Sequence, residues 1–144
     1  MSRLDNFISY LLGNDKQKYE AVNIDSEVLD EIMEISKESY PNEFVALLQG
    51  KIKDSVLHID GLIFLPGETS SEGAVMKIFM LPPMSGSIGS VHSHPGYSNQ
   101  PSQADFHFFA KNGLFHMIIA EPYNVENIAS YNSFGERTDF NIIN

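Results

Sequence analysis

The chain contains no cysteine. Disulfides, thiolate metal sites and a cysteine nucleophile are therefore excluded, and a reducing cytosol is the compartment that fits. Basic residues are scarce as well, with 9 Lys and Arg against 19 Asp and Glu and a formal charge of −10. Contact with a phosphate backbone needs clustered cations, so nucleic acid is not an expected partner. Long apolar runs are also missing. No segment reaches the ~20 apolar residues of a spanning helix, and the opening MSRLDNFISYLLGND lacks the uninterrupted apolar run of a signal peptide, so a cytoplasmic protein without membrane contact is expected. Neither an internal repeat nor a low-complexity segment interrupts the chain.

What remains is ordinary globular composition, 42% hydrophobic and 19% charged, over 144 residues. That length suits one domain closed around one core. Leu4, Phe7, Ile8, Leu11 and Leu12 recur at the spacing of one helix face, so residues 1–17 read as an amphipathic helix and linker ahead of a main domain over 18–144. Such a stripe must be covered, either by its own domain or by a homodimer or partner contact.

Further along, YEAVNI reads as a strand, and Asp25 or Ser26 can cap a helix carrying Val28, Leu29, Ile32, Met33 and Ile35 until Tyr40-Pro41 stops it. EFVALLQGKI and SVLHIDGLIFLP, separated by Lys53-Asp54, predict an antiparallel hairpin. After a polar loop over 66–73 come strands at MKIFML and GSIGSVHSH, a short helix SQADFHFFAK closed by Asn112-Gly113, a strand at LFHMIIAE, and a final pair around 127–131 and 138–143. This order implies an α/β sandwich with a mixed sheet.

Chemistry concentrates in VHSHPGYSNQPSQAD, residues 91–105. On a strand, His92 and His94 share a face while Ser93 points away. Pro95-Gly96 then turns the chain, Ser102 takes the N-cap of the next helix, and Asp105 falls in its first turn, where the helix dipole favours a carboxylate. Two imidazoles and a carboxylate suit a catalytic zinc, which leaves its fourth position to water and lowers that water's pKa to about 7. Each part alone has a plainer use. Ser at an N-cap with Asp three residues on is an ordinary helix start. His-x-His on a strand serves equally as ligands or as two half-exposed residues. His107 and His116 belong to no H-E-x-x-H and are expected to be structural, and His58 is expected to be exposed.

Together, however, His92-Ser93-His94-Pro95, seven residues between His94 and Ser102 and two between Ser102 and Asp105 resemble the H-x-H-x7-S-x2-D motif of the JAMM (MPN-plus) metalloproteases. Glu43, Ala46, Leu48 and Gly50 in PNEFVALLQG resemble the family's upstream signature. The likeness covers roughly residues 19 to 144. It implies a three-layer sandwich, a curved mixed sheet between helices similar in fold to cytidine deaminases, whose own chemistry is excluded because C-x-x-C zinc ligands are absent. It further implies zinc on His92, His94 and Asp105, Glu43 as general acid/base and Ser102 as oxyanion stabiliser. The family often has an aromatic after the glycine preceding the histidines, where this chain reads Gly89-Ser90-Val91, and the long insertions that select polyubiquitin linkages are not evident. Resemblance to minimal prokaryotic-type members implies an isopeptidase acting on ubiquitin-like or sulfur-carrier protein conjugates. Trimming of a carrier's C-terminus and a non-catalytic binding scaffold are the alternatives.

Overall fold

The computed structural model of the protein describes residues 19–64 and 87–144. The N-terminal amphipathic stripe, the polar loop at 66–73 and the expected strand MKIFML lie outside the described residues. Within them the order is β1 (Ala21–Asp25), α1 (Ser26–Ser39), β2 (Val45–Lys53), β3 (Val56–Ile63), β4 (Ser87–His94), α2 (Gln103–Lys111), β5 (Phe115–Ala120), a 3-10 turn (Val125–Asn127), β6 (Ile128–Asn132), β7 (Arg137–Thr138) and β8 (Asn141–Ile143). The eight strands form one mixed sheet in the order β7-β6-β5-β4-β2-β3-β1-β8.

Helix α1 buries Val28, Leu29 and Ile32 and turns Asp30, Glu31 and Glu34 to solvent, the division its periodicity predicts. Asp25 occupies the N-cap, but its side chain makes no capping hydrogen bond. The helix ends at Ser39, and Tyr40 is extended as a residue before proline must be. The β2–β3 hairpin turns one residue later than its polar break suggests. Strand β2 runs through Lys53, and the turn is made by Asp54 and Ser55, at φ 52° and 63°. Two successive left-handed residues match the twist of paired strands, which is why this turn joins them.

Alternation along the strands divides the interior. Ala46, Leu48, Val91, Phe115, Met117 and Ile119 pack with α1 on one face, whereas Leu47, Ile118, Ala129 and Tyr131 pack with Phe108 and Phe109 of α2 on the other. Helix, sheet and helix therefore make the sandwich implied by the order of elements. β4 and β5 run parallel with α2 as their crossover, and β2 is antiparallel to β4. Gly89 permits the β4–β5 approach, because a Cβ there would stand 1.6 Å from the Phe115 carbonyl oxygen.

The expected last strand at 138–143 is divided. β7 pairs with β6 at one edge, and β8 pairs with β1 at the other. Only Asp139 and Phe140 join them, so Thr138 and Asn141 lie at most ~11 Å apart. A flat sheet would hold the first and eighth strands about 34 Å apart. The sheet is thus strongly curled, its two edges brought together and Phe140 set edge-on against Phe115 at 6.4 Å.

Candidate metal centre

The centre forms where β4 ends. His92, Ser90 and His94 project to the α2 face, and Ser93 goes to the opposite side, where its Oγ accepts a hydrogen bond from the Phe44 amide at 2.8 Å. Helix α2 starts just beyond the turn. The Ser102 Oγ accepts from the Asp105 amide at 3.1 Å, and the Ser102 amide donates to Asp105 Oδ2 at 2.8 Å, a complete capping box. That box aims the Asp105 carboxylate at the two imidazoles.

The three side chains converge on one point. His92 Nε2 lies 3.1 Å from His94 Nε2 and 3.3 Å from Asp105 Oδ1, and His94 Nε2 lies 3.5 Å from Asp105 Oδ2. A tetrahedron whose corners sit ~2.0–2.1 Å from a central ion has edges of about 3.3–3.4 Å, so these donors are spaced as one face of a tetrahedral metal site would be. The ring of His94 is already oriented. Its Nδ1 donates to the Ser98 carbonyl at 2.9 Å, which leaves the Nε2 lone pair for a cation.

Charge agrees with that use. Burial by itself would raise Asp105, but hydrogen bonding to His92 and His94 and the charge on His92 hold its carboxyl well below the usual range. Burial would likewise lower His94, yet Asp105, the Ser98 carbonyl and the Glu43 charge reverse the sign and raise it. Without metal the carboxylate favours a proton on its imidazole partner, and a binding cation takes that proton's place.

Glu43 is brought to this point from a distant part of the chain. Val45 pairs with His92, and the Ser93 amide donates to the Phe44 carbonyl at 2.9 Å. Glu43, half-buried, comes just before this pair, close enough for its charge to act on His94. The Ser102 hydroxyl is exposed and, among the described residues, accepts through its oxygen only, which leaves its hydrogen for a ligand.

Sequence reading missed the residues that hold the loop from Pro95 to Pro101. The Glu121 amide donates to the Gly96 carbonyl at 2.8 Å, the Tyr131 hydroxyl to the Asn99 carbonyl at 2.9 Å, and Asn99 Nδ2 to the Asn127 carbonyl at 3.1 Å. None belongs to a local motif that could have revealed it.

Beneath the centre, Ser90 replaces the expected aromatic with a polar pair, its Oγ lying 2.7 Å from His116 Nδ1. His116 is fully buried and stacks on Phe109 at 4.4 Å, which bears out its structural assignment. His107 is exposed on α2, and His58 is half-buried where exposure was expected. Burial pushes His116 down to about 3 against nearby backbone carbonyls, and among the described residues its Nε2 finds no partner at hydrogen-bond geometry. The unfolded chain takes up this proton below about pH 6.5, whereas the folded protein does not until about pH 3. Stability should therefore fall as pH drops through that window, by on the order of a few kcal/mol. Denaturant midpoints from pH 7 to pH 4 check this, and a Ser90→Ala/His116→Leu variant should flatten the slope.

The geometry has counterparts among known proteins. The family of prokaryotic homologues of the JAB domain matches residues 25–133. A probable metalloprotease of Haloferax volcanii is 33% identical over 132 residues, spanning 86% of this chain and 81% of its own. Two solved structures are each 30% identical over 87% of the chain. One, described as a JAMM metalloprotease-like zinc site in the proteasome and signalosome, has a TM-score of 0.65 and is covered completely. The other, a JAB1/MPN domain protein of Archaeoglobus fulgidus, has a TM-score of 0.66 and is covered over 99% of its length. With His92, His94 and Asp105 converging where β4 ends in a curled sheet, this chain belongs to the prokaryotic JAB family as a JAMM-type, metalloprotease-like domain.

Proposed function

We propose that the protein is a zinc-dependent isopeptidase that removes ubiquitin-like or sulfur-carrier modifiers from protein conjugates. The observation that supports this reading is the convergence of His92, His94 and Asp105, with the charge of Glu43 felt at His94. A zinc ion held by the triad would lower the pKa of a coordinated water to about 7 and polarise the scissile carbonyl. Glu43 is a proton carrier in this scheme. Its carboxylate accepts the proton of the attacking water and returns it to the leaving amine, so one side chain serves both halves of the hydrolysis. Ser102 donates its free hydrogen to the oxyanion, held in place by the same capping box that orients Asp105.

An amide between a flexible modifier tail and a lysine offers an extended substrate to a centre that sits at a strand end. The experiment is to incubate the metal-loaded protein with ubiquitin-like conjugates from its own cell, with and without chelator, and to weigh the products. Chelator-sensitive release of an intact modifier is expected. Release of single amino acids would identify a carrier-trimming peptidase instead, and no product from a metal-loaded protein would leave a binding scaffold.

A further inference from the structure

Strand β4 stops at its second ligand, and a tyrosine from another strand's end holds that last residue. Tyr123 follows β5, only 4% exposed, at a φ of 66° that bulky side chains seldom adopt. Three contacts keep it there. Its amide donates to the Ala120 carbonyl at 2.8 Å, its ring meets Tyr40 edge-on at 6.5 Å, and its hydroxyl donates to the His94 carbonyl at 3.2 Å. The same carbonyl accepts from the Gly96 amide at 2.9 Å, so His94 is gripped from two directions just where sheet pairing gives out.

We propose that Tyr123 is a positioning residue for the metal centre, fixing the His94 backbone so that the two Nε2 atoms stand at ligand spacing before a metal arrives. This rests on the reading of the triad as a metal site. His92 is packed within the sheet at 7% exposure, but the His94 side chain is 19% exposed and, among the described residues, is restrained by the Ser98 carbonyl and its metal-site neighbours. Its main chain is consequently the part that needs an anchor. A ligand ordered in advance spends less binding energy on ordering, and outer partners of metal ligands commonly change affinity 10–100-fold. A residue in a rarely adopted conformation, buried and aimed at a ligand's carbonyl, fits that role better than simple packing does.

Tyr123→Phe isolates the hydroxyl, because it keeps the ring, the burial and the same backbone demand. Tyr131→Phe is the comparison, since its hydroxyl binds Asn99, five residues beyond His94. Zinc affinity would be measured by competition with a chromophoric chelator, the visible spectrum after cobalt(II) loading, and the melting temperature on metal-free protein. Tyr123→Phe should weaken zinc binding about 10-fold and alter the cobalt bands while the metal-free protein melts near the parent. Tyr131→Phe should change affinity less. Parental affinity and cobalt bands in Tyr123→Phe would overturn the inference, as would equal affinity losses in both variants that track equal losses of metal-free stability. Failure of the parent to bind zinc at all would instead remove the metal reading beneath it.

Discussion

Glu43→Gln is expected to keep about one zinc per chain and the parental substrate affinity while turnover falls by about 10² to 10⁴, the range for losing a general acid/base. Glutamine preserves the size of the side chain and can still hydrogen-bond, but its amide cannot accept the water's proton. The separation between binding and turnover follows from the donor set. Glu43 is not one of the three converging donors, so the metal face should survive its replacement. Metal analysis and single-turnover kinetics on a cleaved conjugate check both halves. Near-parental turnover in a metal-loaded Glu43→Gln would sink the proton-carrier role and favour a scaffold.

A second substitution should fail in the opposite order. His92→Ala removes the most buried of the three donors and opens one corner of the triangle, leaving His94 and Asp105 as a two-point contact. The loss of affinity should exceed the 10–100-fold typical of outer partners, so that most zinc is lost on dialysis and activity goes with it. Excess zinc should restore little. Full stoichiometry in His92→Ala would mean the metal sits elsewhere. Comparing the variants separates holding a metal from moving a proton, because only Glu43→Gln is inactive while loaded.

Much of this centre could be read from the chain because its parts are local. Strand alternation sets His92 and His94 on one face, and helix capping fixes Asp105 relative to Ser102 within four residues. Glu43 could be recognised only through resemblance, since its place near the histidines depends on Phe44 meeting Ser93 across 49 residues of sequence. Tyr123 and Tyr131 were illegible for a similar reason: each acts through one hydroxyl on a carbonyl far along the chain. The single strand expected at 138–143 becomes two because curling is a property of the whole sheet. Period-two patterning gives the length of extended chain without saying where it changes edge. Likewise, Asp54 and Ser55 make the hairpin turn through paired left-handed conformations, which the Lys53-Asp54 break located only to within a residue.

The short crossing between β7 and β8 also bears on how the molecule avoids sticking to copies of itself. Outer strands present unpaired amide and carbonyl groups that invite strands from other molecules, and proteins commonly protect each border separately. Here one ribbon of seven residues, Arg137 to Ile143, lies along both borders, like a zipper slider drawing two sides of cloth together. A single proteolytic cut near Asp139 would sever the link between the two borders without touching His92, His94 or Asp105.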